Sequence, residues 1–306
     1  MRRRGGRLVA VLESLGMPGA LLGVLLLVAL FAPLLAPYDP VTQLDIVGLN
    51  HTPPSVAHPF GTDSYGRDVL SRVLHGARVS LLVGAIAALV AVTLGTLVGV
   101  IAGYRGGVVD AVLMRLVDVG LALPRLLVLI AVLALWEAPS ATQLALLVGA
   151  TGWLGMSRIV RAETRSLRER DYVGAARALG ASPARVLVRH LGPGLAAPLL
   201  VSTVLFTGQA VVLEASLSYL GLGVRPPAAS WGNVIQDGAP YIGTAWWVAL
   251  FPGLAVVLAV ATVNGAGEAL RARLGGRGRW TPSARALASA DGIPPARHPA
   301  PAIPPA

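Results

Sequence analysis

Long apolar segments constrain this chain more strongly than any other feature of its sequence. A helix needs roughly 20 apolar residues to cross the hydrocarbon core of a bilayer. Because lipid offers no hydrogen bonds to the backbone, such segments must form helices or a closed barrel. The predicted crossings are residues 18–35, 80–103, 112–136, 141–156, 195–214 and 245–264. The sequence therefore predicts an all-α integral membrane protein with six transmembrane helices.

Composition and charge agree with a membrane location. The 306 residues are 55% hydrophobic and 13% charged, and the net charge is +10. In a soluble protein this charge would suggest nucleic acid as a partner, but here the arginines flank apolar spans, so we expect membrane lipid as a partner and no nucleic acid. The chain has no cysteine, which excludes disulfides and cysteine-ligated metal sites.

The distribution of arginine predicts the orientation. With the N-terminus inside and six crossings, the inner segments hold most of the 25 basic residues, and the outer segments hold only Arg67, Arg72, Arg78 and Arg225. Basic residues accumulate on the cytoplasmic side. Both termini and the loop 158–194 are therefore expected in the cytoplasm, in a multi-pass protein.

Four regions follow from this topology. Residues 1–36 form a cytoplasmic N-terminus and the first crossing, and residues 37–78 form an outer segment with a surface amphipathic helix capped by Asp68. The core spans 79–270 and includes the cytoplasmic loop. The tail 271–306 is rich in proline and alanine and is expected to be disordered.

Four acidic and imidazole side chains of the outer segment, His58, Asp63, Asp68 and His75, raise the question of a metal site. Their spacing matches no known ligand pattern. We interpret them as turn and cap residues, and predict neither a metal site nor a catalytic residue in this chain.

The cytoplasmic loop begins with a basic stripe. Arg158, Arg161, Arg165 and Arg168 are spaced three, four and three residues apart, which places them on one side of a helix. The stripe is predicted to face phosphates or an acidic partner. Binding to anionic lipid head groups is the plainer alternative.

A short helix follows the stripe. Tyr172, Ala175, Ala176 and Leu179 recur with helical spacing and predict a narrow face of mainly small residues, which ends at Gly180. A second helix is predicted to begin at the N-cap Ser182 and to end at Gly192–Gly194. The plain alternative is a structural return into the membrane.

Polar side chains inside the spans are candidates for lining a path, because a charge in hydrocarbon is costly unless it faces protein or water. They are Arg125, Asp118, Gln209 and Glu214. Asp118 at an interface and Glu214 as a helix cap are the alternatives. Gly95, Gly99 and Gly103, spaced by four, predict close helix packing.

The loop also carries a family resemblance. The segment YVGAARALGASPARVLVRHLGPG resembles the cytoplasmic signature of ABC-importer permeases, with Ala175, Ala176 and Gly180 matching and Gly174 in place of the acidic first position. Together with HPFGTDSYGRDVLSRVLHGARVSL, AGYRGGVVDAVLMRLVD, EASLSYLGLGVRPPAASWG and WWVALFPGLAV, it resembles the C-type permease of dipeptide, oligopeptide and nickel importers. The resemblance spans roughly residues 15–270.

This resemblance implies the type I importer permease fold in the cytoplasmic membrane of a prokaryote. It implies a second permease subunit forming a heterodimer, two ABC ATPases and an extracytoplasmic solute-binding protein as partners. Di- or oligopeptides are the first expectation for the substrate, ahead of nickel. Asp171 to Leu179 would be the helix that couples to the ATPases, in a set comprising Asp171, Tyr172, Ala175, Ala176, Leu179 and Gly180.

Nucleotide chemistry is expected on other subunits. The chain has no lysine and so cannot form the G-x-x-x-x-G-K-[ST] loop, which places ATP and Mg²⁺ on the ATPases and leaves this chain without a cofactor or an enzymatic activity of its own. Two alternatives are an ion-coupled secondary transporter and a channel-like protein. The sequence shows no convincing internal repeat of the kind that secondary transporters carry.

Overall fold

A computed structural model of the chain describes residues 16–136 and 139–275. It divides into two units, Met1–Arg271 and Ala272–Ala306. Of the second unit only residues 272–275, the end of the last helix, are described. The arginine-rich residues 1–15 and most of the predicted disordered tail lie outside the described residues.

The described residues form helices and no β-strand, which confirms the all-α prediction. The helices are α1 (Met17–Leu30), α2 (Ala32–Leu35), α3 (Val69–Arg105), α4 (Gly107–Ala122), α5 (Arg125–Ala134), α6 (Ala141–Arg168), α7 (Asp171–Ala178), α8 (Pro183–Tyr219), α9 (Trp231–Gly238) and α10 (Trp247–Gly275). A turn of 3-10 helix, Ala239–Tyr241, follows α9.

Four of these helices, α3, α6, α8 and α10, are long and apolar enough to cross a membrane, and the pair α4 and α5 makes a fifth crossing if it counts as one span. The first predicted crossing corresponds to α1, which has 14 residues, followed by the four residues of α2. That is shorter than a full span. The count of six crossings therefore stays a prediction.

The outer segment differs from its prediction. Residues 69–77 do not form a separate surface helix, because α3 runs without a break for 37 residues from Val69 into the second crossing. The carboxylate of Asp68 caps this helix by accepting the Ser71 N–H at 2.8 Å. Val69, Val73 and Ala77 are buried with Trp231 in an apolar cluster. No residue that breaks a helix separates this packed turn from the span, so the two merge.

A buried ionic cluster joins the outer segment to α9. Arg67 and Arg72 each contact both Asp63 and Asp237, at distances between 2.5 and 2.9 Å. Asp63 also accepts turn N–H groups from Tyr65 and Arg67. The interpretation of these acidic residues as turn and cap residues is confirmed for Asp63 and Asp68, and the cluster fixes the outer loop on the helical core.

Close packing of α3 on α6 forms the centre of the molecule. A β-carbon at Gly95, Gly99 or Gly103 would lie 2.6 to 2.7 Å from atoms of Met156, Ser157 and Arg161 respectively. Real side chains do not approach so closely. The three glycines therefore let the two backbones touch, as their spacing predicted.

The third predicted crossing, 112–136, is not one straight helix. α4 ends at Ala122, α5 begins at Arg125, and the two are bent by 76°. Pro124 lies at the break as the N-cap of α5, where its missing N–H costs nothing. The predicted crossing is therefore broken at Pro124, because proline ends the preceding helix at this point.

Candidate functional site

The cytoplasmic loop is a compact structure that continues two of the spanning helices. α6 extends to Arg168, α7 follows after a two-residue turn, and α8 starts at Pro183. Leu167 of α6, Val173 of α7 and Val186, Leu191 and Leu195 of α8 share one buried cluster. The loop therefore packs its short helix directly against the ends of two spans.

α7 has an inner and an outer face. Val173 and Ala176 are buried in the loop, with 0% and 9% of their surface exposed. Asp171, Gly174, Ala175 and Ala178 lie on the opposite side and are exposed. With glycine and alanine at three of these four positions, the outer face is low and nearly flat, so a partner's backbone can approach it closely. We call these four residues the outer face of α7.

The sequence assigned Ala176 to the same exposed face as Tyr172, Ala175 and Leu179. The structure corrects this, because Ala176 contacts its own chain, whereas Tyr172 and Leu179 are 47% and 89% exposed at the flank of the outer face. Gly180, with φ of 79°, ends the helix as predicted. Periodicity identified the helix but could not show which of two adjacent small residues points inward.

The helix that follows α7 begins where the sequence predicted but does not end there. The hydroxyl of Ser182 accepts the Arg185 N–H and Pro183 occupies the first turn. The helix does not end at Gly192–Gly194, because it continues through a π-helical stretch, Val186–Leu191, into the span. There the Gly192 N–H bonds the Leu187 carbonyl five residues back. Pro193 has no N–H to donate, and the widened turn carries the helix past it.

The arginine stripe has partners within its own chain. Arg158 contacts Asp118 at 2.5 Å, and Arg161 makes a two-pronged contact with Asp110. Arg168 donates to the Tyr104 carbonyl at 2.7 Å. Arg165 reaches only Glu169, at 3.6 Å and largely exposed. The stripe therefore fastens α6 to α4 and to the end of α3. Its role as a surface for phosphates or an acidic partner stays a prediction.

Asp118 takes part in this fastening through Arg158, and its role in a path stays a prediction. Glu214 is fully buried and accepts the hydroxyls of Ser80 at 2.6 Å and Ser218 at 2.7 Å. It joins α8 to α3 inside the chain, which corrects its prediction as a path residue. Both carboxylate oxygens of Glu214 therefore accept a hydrogen bond within the chain.

Arg125 and Gln209 remain candidates for a path. Arg125 is half-buried at the start of α5 and donates to Thr151 and Val148 of α6. Its guanidinium also lies 5.0 Å from the centre of the Phe206 ring on α8. Gln209, three residues further along α8, is exposed and makes no hydrogen bond within the described residues.

Sequence reasoning missed Asp110 and the outer positions Gly174 and Ala178. Asp110 lies in the first turn of α4, where a carboxylate commonly stabilises a helix by interacting with its dipole. Its second role depends on α6, which is 51 residues away in sequence. The helical angle from Val173 would have found Gly174 and Ala178 once the inner face was known.

Comparison with known proteins gives a consistent result. A family described as "Binding-protein-dependent transport system inner membrane component" matches residues 95–276, more than half of the chain. The dipeptide transport system permease protein DppC of Bacillus subtilis is 37% identical over 261 residues, which is 85% of this chain and 81% of the relative. The di/tripeptide transport system permease protein DppC of Pseudomonas aeruginosa is 39% identical, over 84% of this chain and 86% of its own length. The glutathione transport system permease protein GsiD of Escherichia coli is 39% identical, over 85% of each.

Proposed function

Because this chain belongs to the family of binding-protein-dependent transport system inner membrane components, we propose that it is a permease subunit of an ABC importer for peptides. The family match and the names of the relatives support this function. The apolar helices fit it, since four or five of them can cross a bilayer. On this proposal the chain forms half of the path that a di- or oligopeptide takes.

The proposal includes the partners that a permease of this kind requires. A second permease subunit completes the path, two ABC ATPases bind the cytoplasmic side, and an extracytoplasmic solute-binding protein delivers the peptide. The chain has no lysine for a phosphate-binding loop, so ATP and Mg²⁺ bind to the ATPases and this chain is not itself an enzyme. The termini and the loop 158–194 face the cytoplasm of a prokaryote.

The two-faced helix α7 is the observation that carries the coupling part of the proposal. Its inner side chain Val173 packs in the cluster that also holds Leu167 and Val186, and Ala176 on the same side of the helix is also buried. Its outer face is exposed and free for another protein. A helix held in this way moves as one body with the ends of α6 and α8.

Coupling then follows from rigid-body motion. When the ATPases close around ATP, they displace α7, and the cluster transmits the displacement to the spans because it is packed and not tethered. The two permease subunits would rock between inward-open and outward-open states. ATP binding shifts this equilibrium through its different affinity for the two arrangements of the ATPases, and hydrolysis resets it.

Ala175→Asp tests the proposed docking. Ala175 is on the outer face, so a carboxylate there should enter the interface without disturbing the loop. We expect membrane insertion to be normal and peptide-stimulated ATPase activity of the assembled importer to fall by about tenfold or more, since an unpaired buried charge costs several kcal/mol at an interface. Wild-type stimulation in this variant would contradict docking at α7.

Two further variants, each replacing an alanine by aspartate, serve as controls. Ala184→Asp makes the same chemical change at an exposed position of the same loop, near the first turn of α8, and should leave stimulation unchanged. Ala176→Asp instead places a carboxylate on the buried side of α7. That variant should lower the stability of the isolated subunit, which Ala175→Asp should not do.

The energy source distinguishes the proposed ABC importer from the alternative of an ion-coupled carrier. An ABC importer requires ATP, whereas a secondary transporter continues on an ion gradient alone. Peptide uptake into vesicles that keep a proton gradient but contain no ATP would count against the proposed function.

A further inference from the structure

Arg125 lies at a depth in the membrane where burying a charge costs free energy. It donates to Thr151, which lies ten residues after Ala141 at one end of α6 and ten before Arg161 near the other. At 1.5 Å per residue, both distances are about 15 Å. The hydrocarbon core is about 30 Å thick, so the guanidinium lies near its middle. A charge at this depth must face protein or water.

The groups around Arg125 hold it without neutralising it. Its Nε–H donates to the Thr151 hydroxyl at 2.9 Å, and its Nη2 to the Val148 carbonyl at 2.5 Å. The face of Phe206 supplies a weak cation–π contact. None of these groups carries a negative charge, and no acidic side chain pairs with Arg125 anywhere in the described ranges.

The guanidinium also has N–H donors that no described residue accepts. An arginine has five N–H donors in a fixed plane, matched to the two oxygens of a carboxylate. The Nη1 group makes no hydrogen bond to described residues, and it is not among the enclosed polar atoms that lack a partner. The free donors are therefore on the open side of a half-buried side chain.

A second polar side chain lies about one turn further along the helix that carries Phe206. Gln209 is three residues beyond Phe206 on α8, and residues three apart share one side of a helix. Gln209 lies about one turn from the middle of the predicted crossing 195–214, where an exposed amide is costly against lipid. Two polar groups with spare hydrogen-bonding capacity thus occur at similar depth around one ring.

We propose that Arg125 binds the terminal carboxylate of a peptide in transit, with Gln209 as a polar neighbour on the same wall of the path. This inference rests on the proposed function, since it assigns a subsite for that substrate. The chemistry needed is a planar anion that reaches mid-membrane and can leave again. A peptide carboxylate has that shape, and the neutral groups that already hold Arg125 keep the attraction moderate.

The test compares wild type and Arg125→Gln in proteoliposomes that hold the complete importer. ATP-dependent uptake is measured for trialanine and for trialanine amide, each delivered by the same binding protein. The ratio of variant to wild-type rate for each peptide cancels any preference of the binding protein. We expect the variant to take up the free acid about tenfold more slowly or worse, as for loss of a hydrogen bond to a charged group, and the amide within twofold of wild type.

Matched variants separate binding from structure. Arg115→Gln removes an exposed arginine of α4 that forms no hydrogen bond or ion pair with any described residue, and should change neither rate. Arg125→Lys keeps the charge and loses the planar fork, so it should restore part of the preference for the free acid. Basal ATPase activity of the Arg115→Gln importer should equal that of the wild type.

Each outcome decides the inference. Equal losses for acid and amide in Arg125→Gln would mean that Arg125 only braces α5 against α6 or pairs with another subunit, and would overturn it. Unchanged uptake of the acid would overturn it as well. Failure of the wild type to import either peptide would instead overturn the proposed function, and the inference with it.

Discussion

Arg161 and Arg165 show how differently two arginines of one stripe are used. Arg161 makes a two-pronged contact with Asp110, and the two side chains are 31% and 14% exposed. Arg165 and Glu169 are 64% and 70% exposed and 3.6 Å apart. Solvent screens the second pair almost completely, while the first is partly withdrawn from water. The same residue type therefore fastens helices at one position and is replaceable at the other.

We predict that Arg161→Gln destabilises the subunit and that Arg165→Gln does not. The first change leaves the Asp110 carboxylate half-buried without its partner, at a cost of about 1–3 kcal/mol. Thermal unfolding of the detergent-solubilised subunit, followed by fluorescence, measures the difference. Equal melting temperatures for the two variants would show that α4 and α6 do not depend on this pair.

Charged residues within the spans were identifiable from the sequence, but their roles were not. Apolar surroundings made Arg125, Asp118 and Glu214 conspicuous. Whether each meets a partner depends on residues far away in the chain, such as Ser80 for Glu214, which is 134 residues distant. Pairing of this kind has no local signal, so sequence reasoning treated a satisfied structural carboxylate and an unneutralised guanidinium alike.

At the scale of elements, the contact between α3 and α6 depends on glycine. A β-carbon at Gly99 would lie 2.6 Å from the Ser157 carbonyl oxygen and 2.7 Å from the Val160 β-carbon. Both are parts of the facing helix that cannot rotate away. The helices must separate to admit even one methyl group.

We predict that Gly99→Ala destabilises the subunit by about 1–3 kcal/mol, the usual cost of overpacking. Gly155→Ala is the matched control, because a β-carbon there meets nothing within 4 Å and the residue is exposed on α6. That control should be neutral or slightly stabilising, since alanine favours a helix more than glycine does. Denaturation midpoints of the two variants in the same detergent decide the question.

Helices were more predictable from the sequence than their ends were. Apolar length identified α3, α6, α8 and α10, and the signals at Asp68, Ser182 and Gly180 marked true caps. The sequence separated two helices that are continuous, at 69–105 and 183–219, and joined one that is broken at Pro124. Glycine and proline are ambiguous at such places, because tertiary packing and a widened turn decide whether a helix passes them.

At the scale of the whole molecule, the proposed orientation can be tested directly. The chain has no cysteine, so a single introduced thiol reports one position. Leu179→Cys should react with a membrane-impermeant maleimide only in inside-out vesicles, and Val56→Cys only in right-side-out vesicles, since both side chains are highly exposed. Leu129→Cys, fully buried, should react in neither until the protein is denatured. The reverse pattern would invert the topology.

The π-helical stretch lies within α8, between the cytoplasmic loop and the part of the helix that crosses the membrane. One residue inserted into an α-helix rotates everything beyond it by about 100°. The six residues Val186–Leu191 therefore set the angular phase between α7 and the membrane part of α8. If that turn tightened to an ordinary α-helix, the cytoplasmic end would twist relative to the span even without any bending. On the proposed coupling, this stretch fixes the angle at which a displacement of α7 reaches the membrane part of α8.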